Sequence, residues 1–564
     1  MNKMALPAML AAWFGRGVGM VVAAPLFIYR FFDGQAYYHW ALWLGLLACV
    51  QAAWQIGFAF WQHGMGALLD VLLLLVLAGM FFAMMEGAAK LCMKAKGPLA
   101  FLAWTPGQGR LRSWIGGKAP VVAAGGGAAK ADETLLRGAA IVDGPALGAT
   151  LKRGASEADL AAVIEWGGVP IPPKNEPEHF LIEGKTGAGK TQAINEMLRR
   201  VRARNQAAVI ADPAGGYLGR FFRAGDAVLN PFDARTAYWS PFAEIQADYD
   251  CQRIAKAAIP DAVGESQEWH FYAQSLLGES MLAMHKAGES SIKKLLYYVN
   301  TADAKELSDL LDGTPAAILA QKGNEKMLSN TRAIASLYLS AWNYLEDGGT
   351  FSVRRWVRES DQSRAWLYLT YRDDQMALLR LLVACWLELA IVEGLSLAES
   401  QSRRLWYVMD ELDSLGKITS LRAGLTKLRK YGGVCVSGLQ TIAQLRSTYG
   451  HDEAQTLLSC MSTKLILKAG DGETAKYFEN EIGQQEIERE ETSQGQSNRI
   501  GDLASNSENK STRRHVQAAV LASEIQGLDN LHGFLMLVGL PIARVVLQYV
   551  PMPDQVPAFT AKAQ

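Results

Sequence analysis

A single octapeptide, Gly184-Lys185-Thr186-Gly187-Ala188-Gly189-Lys190-Thr191, narrows the folds open to this chain more than any other feature. It follows a short apolar run, Phe180-Leu181-Ile182, and precedes a stretch from Gln192 to about Arg202 that reads as a helix. Strand, glycine-rich loop and helix form the setting that the pattern GxxxxGK[ST] needs in order to cradle phosphate. The glycines let the backbone curl so that several N–H groups converge on one point. Lys190 is then placed to neutralise β- and γ-phosphate charge, and the Thr191 hydroxyl to ligate Mg²⁺, so the expected ligand pair is ATP and Mg²⁺.

A second element fits the first. Leu405-Trp406-Tyr407-Val408-Met409 is an apolar run ending in Asp410-Glu411, which describes a central strand carrying two carboxylates to its tip. Asp410 is expected to hold the metal's water shell, and Glu411 to orient or deprotonate the attacking water. An amphipathic helix from Ile418 to Lys430 follows, then a strand in Gly432–Gln440, whose tip puts Gln440 in place to sense the γ-phosphate or its water. Ala207–Ala211 is another buried-strand run, ending at Asp212-Pro213. Functional residues of open α/β sheets gather at the carboxyl ends of strands, so Asp212 reads either as a site residue or as a turn carboxylate. Ser462–Ala469 is a further strand, a helix follows over Thr474–Ile482, and two short strands lie in the segments starting at Phe534 and Ala543. Strands alternating with helices predict an α/β fold with a doubly wound, mainly parallel sheet.

Composition excludes other classes. Lys plus Arg and Asp plus Glu both number 56, so the chain has no global basic field, and nucleic-acid contact must come from local patches. Six scattered cysteines without a CxxC pair argue against structural zinc or a disulfide framework. No helix-turn-helix, zinc-finger or aromatic RNA-binding pattern supports sequence-specific reading. The first hundred residues differ from the rest. Trp40–Phe60 carries no formal charge, Met65–Met85 has only Asp70, and Ala5–Ile28 is interrupted by Arg16. These are two or three candidate membrane spans, with Tyr37, Tyr38, Trp40, Trp54 and Trp61 as interfacial anchors. Lys90, Lys94, Lys96, Arg110, Arg112 and Lys118 follow them, which places the remainder on the cytoplasmic side.

Taken in order, GKTGAGKT, VIADP, LNPFDAR, FSVRRW, RRLWYVMDEL, LTKLRK, SGLQ and GDGETAKYF make the chain resemble the type IV coupling proteins, over roughly residues 135 to 550. That family comprises membrane-anchored, hexameric ATPases of conjugation and type IV secretion. The resemblance implies a RecA-like motor with an inserted all-α domain on an N-terminal transmembrane helical stem. On this reading the stem covers 1–118, a Gly/Ala-rich linker 119–134, the nucleotide-binding domain 135–237 and 348–555, the all-α domain 238–347, and a tail 556–564. A third span would exceed the family's usual two. Trp269, in the family's Glu-Trp pattern, reads as a core anchor of the helical domain. By the same resemblance Arg429 is the arginine that reaches a neighbouring subunit's γ-phosphate, with Lys427 and Lys430 as close rivals.

The implied function is an inner-membrane ATPase that recruits a relaxase–DNA complex and pumps single-stranded DNA into a secretion channel. Its implied partners are single- or double-stranded DNA without sequence preference, relaxosome proteins, channel components, the bacterial inner membrane and five further copies of itself. A septal-type chromosome translocase and a nucleotide-regulated membrane receptor without motor activity are the competing readings. Glu486–Arg514 is polar and nearly free of large apolar residues, which reads as a mobile loop; Arg513 and Arg514 there are either solvated cations or phosphate contacts.

Overall fold

The computed structural model describes residues 133–562, except 154–155, 157–159, 161, 263 and 498–504. The three apolar stretches expected to span a membrane, and the Gly/Ala stretch Val121–Ala129, lie outside the described residues. Fifteen strands are described, in chain order: β1 Glu133–Gly138, β2 Ile141–Asp143, β3 Glu165–Trp166, β4 Val169–Pro170, β5 Phe180–Glu183 and β6 Ala207–Pro213. After these come β7 Ala227–Leu229, β8 Trp366–Tyr371, β9 Leu405–Met409, β10 Gly433–Leu439 and β11 Thr463–Ile466. The last four are β12 Gln484–Ser497, β13 Ser505–Ala518, β14 His532–Met536 and β15 Ile542–Val546.

Ten of them form one sheet, in the order β2-β15-β14-β11-β5-β10-β9-β6-β8-β7. From β11 to β7 every pairing is parallel. The strands β5, β8, β9 and β10 are buried along their whole length, the pattern of a sheet covered on both faces. Alternate side chains serve opposite cores. Phe180, Ile182, Trp406 and Val408 pack on one face with the helix Lys190–Ala203, whereas Leu181, Leu405, Tyr407 and Met409 pack on the other with the helix Asp373–Gly394. The helix Lys190–Ala203 buries Ala193, Ile194, Met197, Leu198 and Val201, a stripe at helical spacing, and near its two ends also buries the charged Lys190 and Arg202. Asp373–Gly394 is the one described helix long and apolar enough to cross a bilayer, and its apolar side chains are instead in the core.

Between β7 and β8 the chain is helical, with helices Asp250–Ala258, Gln267–Lys286, Ile292–Asn300, Ala304–Leu310 and Glu325–Leu339. A buried ionic knot joins this part to the sheet's helices. Arg354 bonds Asp250 at 2.8 Å, Glu393 at 2.7 Å and the Glu244 carbonyl at 2.8 Å. Trp269 is half-buried rather than in the core: it meets Tyr272 edge-on at 6.0 Å near the start of its helix. The exposed Gln267 and Glu268 put that first turn at the surface, where an indole's size alone does not bury it.

The polar segment Glu486–Arg514 is not the loop that its composition suggests. β12 and β13 form an antiparallel hairpin paired from Gln484↔Ala518 to Ser497↔Ser505, and β1 adds a third strand against β12. Ladder hydrogen bonds satisfy the backbone whatever the side chains are, so a ribbon with little apolar surface still forms where both partners are fixed at its base. Arg514 stands opposite Glu488 and pairs with it at 3.6 Å.

Candidate active site

The site is assembled at the carboxyl ends of β5, β9, β10 and β6, where four turns meet. β5 runs into the loop Gly184–Gly189, and the helix begins at Lys190, two residues before the expected Gln192. Gly189, at φ 120°, has a left-handed backbone that favours glycine, and Leu531 Cδ2 lies 2.8 Å from where a Cβ would be. Leu531, itself at φ 67°, donates its N–H to the Ala188 carbonyl at 2.9 Å, so a distant segment holds the loop's curvature. Gly184 donates to Leu439 and Lys185 to Lys468, which pins the loop's entrance to β10 and to the end of β11. The first-turn amides of a helix have no partners within it, so those following this loop are available to a phosphate.

Lys190 is 8% exposed and its Nζ donates to the Gly184 carbonyl at 2.5 Å. Burial pulls its pKa down, opposed by the charges of Asp410, Glu411, Glu183 and Asp413. Asp410 ends β9 as expected and is 6% exposed; burial raises its pKa, opposed by the Tyr217 hydrogen bond and by Lys190. The Tyr217 phenol donates to Asp410 Oδ2 at 2.6 Å, while Asp410 Oδ1 is buried without a hydrogen-bond partner. Glu411 and Gln440 come together across β9 and β10: Gln440 Nε2 donates to Glu411 Oε1 at 3.0 Å. Gln440 Oε1 in turn accepts from Thr186 Oγ1 at 3.4 Å. Three expected site residues from three segments are thus linked in one chain of contacts.

Arg429 is elsewhere. It sits in a short 3-10 turn just before β10, so it lies at the amino end of the strand whose carboxyl end leads to Gln440. Strand rise puts that about 20 Å away along the sheet. The predicted helix Ile418–Lys430 is shorter, Leu421–Lys427, because the chain tightens into that 3-10 turn. The Arg429 side chain is 61% exposed and pairs with Glu178 at 2.6 Å. Within one chain it does not reach the loop.

Asp212 is a turn carboxylate with a task. It is fully buried, and its two oxygens accept the N–H groups of Tyr217 at 3.0 Å and Leu218 at 2.7 Å, fixing the short helix Gly216–Phe221. Burial pushes its pKa up to about 7 against those two bonds. Two residues escape sequence reading. Tyr217 belongs to a glycine-flanked turn with nothing in its spacing to announce an aromatic donor. Glu183 closes β5 with both carboxyl oxygens buried and unpartnered, and burial raises its pKa well above the carboxylate range; a lone acid ending an apolar run was the signal for it.

Around Thr191 and Asp410 the donors are hydroxyl and carboxylate oxygens, the set that a hard divalent cation takes. Among the described residues no three His, Cys, Asp or Glu side chains are grouped to hold a metal alone, so such an ion needs further oxygens from a phosphate ligand and water. The unpartnered Asp410 Oδ1 fits that requirement.

A family described as the type IV secretion-system coupling protein DNA-binding domain matches residues 163–548. The coupling protein TraD of Escherichia coli (strain K12) is 29% identical over 457 residues, which cover 79% of this chain and 62% of TraD. The chain therefore spans less than two thirds of that relative's length. Among solved structures, the unbound bacterial conjugative coupling protein TrwBdeltaN70 is 34% identical with a TM-score of 0.69, over 76% of this chain and 97% of that one. The plasmid coupling protein TrwB in complex with ADP and Mg²⁺ is also 34% identical, with a TM-score of 0.68, over 78% of this chain and 99% of that one.

Proposed function

Because the chain belongs to the type IV secretion-system coupling protein family, we propose that it is an inner-membrane-anchored ATPase that recruits a relaxase-bound DNA strand and drives it into a secretion channel. The observation that carries the hydrolytic part is the contact chain Thr186–Gln440–Glu411 beside Lys190, which links the phosphate loop to the carboxylate that would activate water. ATP and Mg²⁺ are the ligands that the TrwB complexes support. Thr191 and Asp410 would hold Mg²⁺, which supplies charge neutralisation at the phosphates when bound. Lys190 would exchange its contact with the Gly184 carbonyl for phosphate oxygens, a swap that burial favours because it restores a charge partner. Glu411, oriented by Gln440, would take a proton from the attacking water.

Arg429 completes the reading. Its position at the amino ends of the strands suits an arginine offered to the next subunit of a ring, so hydrolysis would require assembly, and a homo-hexamer is the proposed state. The membrane anchor is proposed from the apolar N-terminal stretches. The test is the ATPase rate of the full-length protein with and without single-stranded DNA, beside Lys190→Ala and Glu411→Gln. DNA stimulation that rises with protein concentration and vanishes in both variants supports a motor. A rate indifferent to DNA refutes the pumping role and favours a receptor.

A further inference from the structure

We propose that Tyr217 is a positioning residue that sets how Asp410 meets Mg²⁺ and the nucleotide, a proposal that rests on reading the loop as a nucleotide site. The phenol occupies Asp410 Oδ2 at 2.6 Å and leaves Oδ1 as the oxygen without a partner. A carboxylate with one oxygen tied down presents the other in a single direction, which is how outer partners aim groups at a metal shell. Tyr217 is 2% exposed, so this bond has little competition from water. Thr191, on the phosphate-loop side, also acts on the same phenol, which therefore lies near both groups expected to hold the ion.

What makes the assignment more than one short contact is how firmly Tyr217 is itself held. Asp212 accepts its backbone N–H at 3.0 Å and that of Leu218 at 2.7 Å. From outside, the segment 554–558 straps the helix Gly216–Phe221 down: Gln555 and Val556 both donate to the Gly219 carbonyl, at 2.7 and 3.2 Å. Gly215, at φ 72°, is crossed so closely that a Cβ would lie 2.2 Å from the Ala558 carbonyl oxygen. Burial and the neighbouring Asp410 charge also raise the phenol's pKa, so it remains a donor. These contacts fix the backbone that carries the ring, and with it where the hydroxyl can lie.

The test uses the full-length protein and ADP, titrated with and without Mg²⁺, and reads the ratio of the two dissociation constants. Tyr217→Phe keeps the ring and removes the donor. The expected result is an approximately tenfold smaller Mg²⁺ enhancement, with metal-free ADP affinity unchanged. In an Asp410→Asn background, which reduces the enhancement by itself, adding Tyr217→Phe should change nothing more. An unchanged ratio in Tyr217→Phe, equal loss of affinity with and without Mg²⁺, or additivity with Asp410→Asn each overturns the proposal while leaving the nucleotide site intact. If the parent protein binds ADP no better than Lys190→Ala, the reading of the site fails and takes the proposal with it.

Discussion

His179 should give the protein a measurable acid sensitivity at the end of the sheet that carries Arg429. The residue lies immediately before β5 at φ 58° and is 2% exposed. Its Nδ1 accepts the Cys435 N–H at 3.0 Å, which fixes the neutral ring with the proton on Nε2. Burial, reinforced by the Arg429 charge, lowers its pKa to about 4, with only the Leu425 carbonyl favouring the charged form. Above pH 6.5 the ring is neutral both folded and unfolded and contributes nothing. As pH falls through 6.5 the unfolded chain takes up the proton while the folded chain does not, so stability drops until the folded pKa near 4 is reached. The linkage relation gives a loss of about 2 kcal/mol at pH 5 and about 3 kcal/mol near pH 4. The assay is urea unfolding followed by tryptophan fluorescence at pH 7.5, 6 and 5, comparing the parent with His179→Asn. Asparagine tolerates the left-handed backbone and does not titrate in this range. The variant should pay a constant penalty of about 1 kcal/mol for the weakened Cys435 bond, yet lose about 2 kcal/mol less than the parent between pH 7.5 and 5. Parallel pH profiles would refute the reasoning.

Arg429→Ala should reduce ATP hydrolysis by roughly a thousandfold without weakening nucleotide binding. Mixing it with Lys190→Ala should restore part of the rate, because one variant keeps the site and the other keeps the arginine; no recovery on mixing counts against action between subunits. Arg354→Met should destabilise the chain by about 2–3 kcal/mol, since Asp250 and Glu393 lose their most buried cation and keep only Arg253 and Arg358, and denaturant midpoints will report it. Gly215→Ala should loosen the strap, at a cost of about 1–3 kcal/mol for the left-handed backbone alone. Limited proteolysis should then cut within 554–562 far faster than in the parent, and equal rates would show that the strap is not held there.

What could be read from residues alone was whatever local pattern decides. The octapeptide specified strand, loop and helix within a few residues, and the apolar run to Asp410-Glu411 located the partner strand β9. Both signals are short-range, and both concern residues that are buried because the sheet is covered on two sides. The hairpin β12–β13 was illegible because its evidence lies in pairing: backbone ladders between two polar strands leave no apolar period to detect. Tyr217 escaped for a related reason. Its partner Asp410 is 193 positions away in the chain, and only the fold brings the phenol to it. Asp212 was visible at its strand tip, but whether it served the ligand or the turn depended on which N–H groups faced it.

The strap has a consequence for how the protein is made. Tyr217's segment is held by residues 554–558, which are translated more than 330 codons after Gly219. At bacterial elongation rates the interval is roughly 20–70 s. During it the phosphate loop and Tyr217 already exist as chain, and Asp410 joins them 191 codons after Gly219, but the outer clamp on the helix Gly216–Phe221 comes only at the end. The clasp that Leu531 places on the loop arrives almost as late. A nascent copy therefore lacks both outer restraints on this end of the sheet until nearly all its described residues have emerged.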